Sequence, residues 1–373
     1  LVGSYYPQNL VQSANYTPWG ALSTLVNGYA GSSGTNAQET YYYNKRLQPW
    51  AIELGANGGN TFADYCLEYN YYLTWTPPSS CPTSSSVPPS GTTDNGNIMG
   101  YWYPDSANPS YSHTAAYTYD AVNRLTGAVA TPFGAGTVSY NLTFSYTQDG
   151  SNGQYGNMSC VTAGACTILS FNPANNQITT SGYNYDLAGN LTKDSSNSSA
   201  HTYQWDAEGR VSTVDPGSSP TWNFTYNALG HRAQWAYGSS GGAAQHLFGP
   251  DGTWLGVVGN YSLVTFGGRN LAMYQGGKTF FNHVNALGST TMYTNPSGAE
   301  TEDILFSPWG DVLRSQGSGG YNFAELPYYD TTTMTELTTA RITSPNFGRW
   351  FSPDPRRLVK APSRPTLSPR ESV

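Results

Sequence analysis

The sequence predicts an all-β fold of successive antiparallel hairpins, and three observations carry that prediction. Only 10% of the 373 residues are charged, while 14% are aromatic and 41 are glycine. Tyr, Trp, Phe and Thr suit the pleated, half-buried face of a strand, Gly and Asn suit tight turns, and this aromatic content argues against disorder. An aromatic-x-aromatic-Asp-x-x-Gly pattern occupies residues 183–189 (YNYDLAG) and 203–209 (YQWDAEG), and residues 224–230 (FTYNALG) repeat it with Asn for Asp. Finally, turn signals such as GPDGTW from Gly249 and TNPSGAE from Thr294 punctuate short apolar runs.

In chain order, TPWGALS from Thr17 reads as a turn between two strands and is echoed by SPWGDVL from Ser307. Residues 76–96 (TPPSSCPTSSSVPPSGTTDNG) form a Pro/Ser/Thr segment expected to be an extended surface loop. The repeat units follow. In each, the paired aromatics lie on one strand face, as in Tyr183 and Tyr185, Tyr203 and Trp205, Phe224 and Tyr226. Asp186, Asp206, Asn227 and Asn285 then open turns closed by Gly189, Gly209, Gly230 and Gly288. Asp120 opens one closed by Asn123, the next most tolerant residue of the left-handed region. Asp or Asn first and Gly fourth is the chemistry of a type I turn ending in a bulge, the three-residue hairpin connection. The units have no His or second carboxylate at a recurring offset. Their acids are therefore read as turn-makers rather than catalysts.

Other motifs carry little chemistry. Residues 238–242 (GSSGG) match G-x-S-x-G formally but sit in a Gly/Ser-rich loop with no helix pattern behind them. The five histidines (His113, His201, His231, His246, His283) are scattered without metal-ligand spacing. Residues 148–157 (QDGSNGQYGN) have oxygen ligands but lack the spacing and terminal Glu of a recognised calcium loop. No cofactor or metal is expected. Four cysteines fall into two local pairs, Cys66/Cys81 and Cys160/Cys166, without C-x-x-C spacing. Disulfides within each pair would imply an oxidising, extracellular or cell-surface setting; four buried thiols are the alternative. Seven Asn-x-Ser/Thr sequons, at Asn15, Asn141, Asn157, Asn190, Asn197, Asn223 and Asn260, are glycosylation candidates, although such a composition yields that number by chance.

The net charge is −7, yet five of the sixteen basic residues lie in residues 356–373, which leaves the body near −11. With no basic patch, nucleic acid is not an expected partner. No apolar run approaches the roughly 20 residues of a membrane helix. The chain begins at Leu1 and is read as a processed or partial product.

The units YTYDAVNRLTGA, YNYDLAGNLTKD and YQWDAEGRVSTV resemble the tyrosine–aspartate repeats of the RHS (rearrangement hot spot) family. Residues 280–313 resemble the stretch before that family's C-terminal motif, and residues 340–355 (ARITSPNFGRWFSPDP) resemble the motif itself. Weaker matches, YYYNKRLQPW and NGNIMG, carry the resemblance back to about Tyr41. It implies a hairpin sheet that spirals into a hollow shell, around a C-terminal effector or on a cell surface. The implied organisation is a divergent β-repeat region over 1–116, a repeat sheet over 117–320, a degenerate terminal motif over 321–355 and a basic Pro-rich tail over 356–373. In cleaving relatives the motif forms an aspartyl-type self-cleaving site. Arg341, the segment 348–350 and Asp354 match it, but Ser344 stands where the first aspartate belongs. A proton-sharing carboxylate pair needs both members, so no self-cleavage is expected.

Three functions remain in view. The first is a non-enzymatic extracellular structural protein whose sheet edges pair with other copies into a fibre or sheath. The second is the shell of a secreted toxin-delivery protein, and the third is an adhesin whose Tyr and Trp stack on carbohydrate.

Overall fold

The computed structural model describes residues 9–28, 36–56, 65–83, 86–89, 94–147, 156–162, 168–195, 200–218, 220–238, 242–317, 322–324, 326, 328–330, 335–338, 341–345 and 348–353. The chain is all-β, with one short 3-10 turn at Pro109–Tyr111 among the described residues. A ten-stranded sheet runs from strand Val11–Tyr16 to strand Met158–Thr162. The hairpin of Asn184–Tyr185 and Leu191–Lys193 follows, then a twelve-stranded sheet from Tyr203–Trp205 to Val312–Gln316. A four-stranded sheet from Tyr328–Asp330 to Arg349–Trp350 ends the described chain. In each sheet every strand pairs antiparallel with its sequence neighbour, as a chain of hairpins must. No hairpin can bury its own face, so stability comes from adding further hairpins and from packing sheet on sheet.

That packing joins distant parts of the chain. Leu54, Tyr65, Tyr69 and Tyr103 of the first sheet share a core with Met292 and Leu305 of the long one. Leu25 packs with Leu271, Ala272 and Phe281. Gly28, at φ +74°, lies so close to the Phe281 ring that a Cβ would stand 2.9 Å from it. The terminal sheet returns to the middle of the chain, where Ile342 and Phe351 join Leu191, Tyr203, Val211 and Val214 in one core.

Candidate functional site

Ten hairpin turns share one backbone pattern among the described residues, beginning at Thr17, Asn44, Asp120, Asp186, Asp206, Asn227, Gly249, Asn285, Asn295 and Ser307. In each, the N–H of the fourth residue donates to the carbonyl of the first, and the first N–H donates to the carbonyl of the fifth. The fourth residue has positive φ in all ten, and the strand register slips by one beside turns such as those at Asp120, Asp186 and Asp206. This is the type I turn with a bulge that the spacing predicts. At nine of the ten the first residue is Asp, Asn, Ser or Thr, and its side-chain oxygen accepts the fifth N–H. Leu47 is the departure: it takes φ 64° where the pattern favours Gly.

The repeated aspartates are fully employed by these turns. Asp206 Oδ1 accepts from the N–H of Glu208 (3.0 Å) and of Arg210 (2.9 Å), and Oδ2 accepts from Arg210 Nε at 2.7 Å. Asp120 makes the same set with Val122 and Arg124. Burial works to raise the Asp206 pKa, but the Arg210 backbone N–H and guanidinium outweigh it and lower the value.

The aromatic that ends a strand has a second role, which periodicity alone does not show. Tyr43 Oη donates to the Leu22 carbonyl (2.8 Å) and Tyr146 Oη to the Leu125 carbonyl (2.7 Å). Trp205 Nε1 donates to the Leu191 carbonyl (2.8 Å) and Tyr226 Oη to the Val211 carbonyl (2.7 Å). Each acceptor lies five residues after the start of the preceding hairpin's turn, so the aromatic latches one hairpin to the one before. Arg124 and Arg210 complete the latch by stacking on the rings of Tyr146 and Tyr226, at 4.7 and 4.5 Å from the ring centroids.

The residues singled out from the sequence are dispersed over this wall. Cys66 and Cys81 form a disulfide with Cα atoms 5.9 Å apart, tying the buried strand Tyr65–Asn70 to the Pro/Ser segment after it. Cys160 is disulfide-bonded too, while Cys166 lies outside the described residues. Of the sequons, Asn15, Asn141, Asn223 and Asn260 are exposed, and Asn197 lies outside the described residues. Asn190 is withdrawn as a glycan site: it is buried, and its Nδ2 donates to Asp186 Oδ2 at 2.9 Å. Asn157 is also built into the fold, donating to Asn176 and accepting from Arg349.

In the terminal motif, Arg341 stacks on Trp350 at 4.1 Å, and Ser344 is buried. Arg349 donates to Asn157 Oδ1 (2.8 Å) and to the Asn176 carbonyl (2.6 Å), and the Leu191 N–H donates to the Phe351 carbonyl at 2.8 Å. These contacts clip the motif onto the middle of the chain and border a groove of about 750 Å³. Asp354 lies outside the described residues.

Two buried polar systems form between the sheets. Thr294 Oγ1, His283 and Glu39 make a hydroxyl–imidazole–carboxylate chain with both links at 2.8 Å, the geometry of a nucleophile with its base. All three side chains are at most 1% exposed, so no substrate reaches the hydroxyl. Arg269 Nη2 also donates to both Glu39 oxygens at 2.8 Å. Burial opposes the Glu39 charge, but Arg269, His283 and Tyr41 together hold its carboxyl well below the usual range. The second system is a cavity of about 390 Å³ lined by Tyr69, Tyr101, Tyr103, Tyr117, Leu125 and Phe306. Its hydroxyls stay protonated, because burial raises the pKa values of Tyr101, Tyr103 and Tyr117 far above normal, with neighbouring hydroxyls and carboxylates adding to it. His113 bridges Tyr101 Oη (2.9 Å) and the Tyr111 carbonyl, and burial pushes its pKa down to about 4.

No protein-family model matches the chain. The tRNA3(Ser)-specific nuclease WapA of Bacillus spizizenii is 27% identical over 233 residues, which is 56% of this chain and 9% of that protein. Among solved structures, the TcdB2–TccC3 crystal structure matches with a TM-score of 0.69 at 14% identity, over 94% of this chain and 18% of that one. The Tc holotoxin pore of Photorhabdus luminescens, with a mutation in TccC3, matches with a TM-score of 0.68 at 15% identity, over 92% of this chain and 18% of that one. Over more than nine-tenths of its length the chain therefore has the fold found in these toxin structures, while spanning less than a fifth of each and under a tenth of the nuclease.

Proposed function

We propose that this chain is a wall segment of a non-enzymatic, RHS-type β-shell that encloses an effector in a secreted toxin-delivery protein. The observation that carries this reading is the fold shared with the TcdB2–TccC3 structure over 94% of the chain. The sequence relation to a protein named as a nuclease points the same way. These comparisons favour the shell over the self-assembling fibre that the sequence put first. The wall's physics is compatible with it: hairpins latched edge to edge make a stiff sheet, and the buried Glu39, Arg269 and His283 side chains bind one another between the sheets. The Cys66–Cys81 disulfide fits an oxidising destination outside the cytoplasm. Ser344 in place of a carboxylate would leave the shell joined to whatever follows it.

The test is negative-stain microscopy and limited proteolysis of the full-length product of the gene that encodes this chain. Closed hollow particles, with a downstream segment protected until the shell is denatured, are expected. Filaments, or a downstream segment digested as fast in the native particle as in the denatured one, would overturn the reading.

A further inference from the structure

Where the two long sheets meet, three carboxylates converge. Asp105 follows the strand Gly100–Tyr103, and Glu300 and Asp303 lie on the strand Glu300–Phe306, almost 200 residues later. One oxygen from each lies within 4.8 Å of the others. Asp105 is 2% exposed and Asp303 is fully buried, whereas Glu300 is partly open to solvent. Such a cluster must be neutralised, since burying a charge without a partner is strongly unfavourable.

The donors on hand fall short of that. Asp105 Oδ1 accepts the Asn108 N–H at 2.7 Å. The single hydroxyl proton of Tyr103 is shared between Asp105 Oδ2 (3.1 Å) and Asp303 Oδ1 (3.5 Å). Asn108 Nδ2 is directed mainly to Gln316, at 2.7 Å, and stands 3.5 Å from Glu300. Asp303 Oδ2, on a side chain with no solvent exposure, meets no donor group among the described residues, and the Asp303 carboxyl has only the Asp105 and Glu300 carboxyls beside it besides Tyr103. The nearby Arg314 is used elsewhere, on Ser110, Thr137 and the face of Tyr111. Among the described residues no Lys, Arg or His forms an ion pair with any of the three acids.

The geometry points to a divalent-cation site of calcium type, formed by Asp105, Glu300 and Asp303 and bridging the two sheets. The ligands are all hard oxygens, three of them anionic, as calcium prefers. Calcium–oxygen bonds of about 2.4 Å place ligands on opposite sides of the ion about 4.8 Å apart, so one ion can touch all three acids. Asp303 Oδ2 supplies the unsatisfied buried lone pair, and the solvent-facing side at Glu300 supplies an entry path. The sequence gives no warning of this site: its ligands are neither clustered nor spaced as a calcium loop. It also stands independently of the shell reading.

Terbium luminescence tests it on the full chain. Tb³⁺ bound here would be sensitised through Tyr103, whose hydroxyl touches two of the ligands. One Tb³⁺ per chain, excited through tyrosine and displaced by Ca²⁺, is expected. Asp303→Asn should abolish the signal. Glu300→Gln, at the solvent edge and safer for folding, should weaken binding at least about 10-fold, since even losses outside the ligand set reach that size. The thermal midpoint of the unaltered protein should rise with Ca²⁺, and that of Glu300→Gln should rise less. Absent tyrosine-sensitised binding, or binding that Glu300→Gln leaves unchanged, would mean that the acids share protons instead, and the site would be rejected. Neither result alters the particle shape that tests the shell.

Discussion

A carboxylate that accepts three hydrogen bonds inside its own turn has little left to offer a substrate. That is the condition of Asp206, and Asp120 repeats it residue for residue. Asn227 and Asn285 show that the negative charge is dispensable, because an amide oxygen accepts the same two backbone N–H groups. Asp206→Asn should therefore change stability by less than about 1 kcal/mol, the worth of the partly exposed Arg210 pair it weakens. Asp206→Ala should cost about 1–2 kcal/mol, because the turn N–H groups lose their acceptor. Denaturant titration of the two variants checks this, and equal losses in both would show that the charge matters after all. This much was legible in the sequence, because a turn is local and Asp-x-x-Gly spells it out. Leu47 was not, since nothing in YYYNKRLQPW advertises a leucine at φ 64°.

At the scale of the element, the hairpin gains its stability from the neighbour it is latched to. Tyr226 reaches back to the Val211 carbonyl, and Arg210 stacks on its ring, so one unit's turn holds the next unit's aromatic. Tyr226→Phe keeps the ring and removes only the hydroxyl. It should cost about 1 kcal/mol, the net value of one such hydrogen bond. Hydrogen exchange should then quicken at the hairpin Trp222–Tyr226/Arg232–Tyr237 while more distant hairpins stay unchanged. Uniform acceleration across the sheet would show that the latch is not a local device. The sequence displays the repeated aromatics and the sheet face they occupy. It does not show the hydrogen bond, because the acceptor carbonyl belongs to the previous unit.

For the whole molecule, the decisive contacts join the two long sheets. Glu39 is 1% exposed and meets Arg269 and His283, more than 200 residues away. Removing one member of a buried ion pair strands the other, so Arg269→Met should destabilise the protein by about 3–5 kcal/mol. The pH dependence has a definite sign. The folded-state pKa of Glu39 is depressed, so its contribution is present above the ordinary value of 4.5 and is lost as pH falls below it. Arg269→Met should thus lose stability at neutral pH and show a shallower acid limb than the parent. A parallel downward shift of the whole curve would mean that the pair is not the acid-sensitive contact.

The alternating aromatics, the Asp/Asn-x-x-Gly turns and the low charge content determined by themselves that this protein is a succession of hairpins with fixed registers. Those features act over four to ten residues, where backbone sterics and local hydrogen bonds decide the outcome. Only the tertiary structure decided which faces meet: Glu39 on His283, Tyr103 near Asp303, Phe351 on Tyr203. A strand pattern names the side that will be buried but not its partner. That choice rests on how two sheets stack, and it is made between residues far apart in the chain, up to 244 positions for Glu39 and His283.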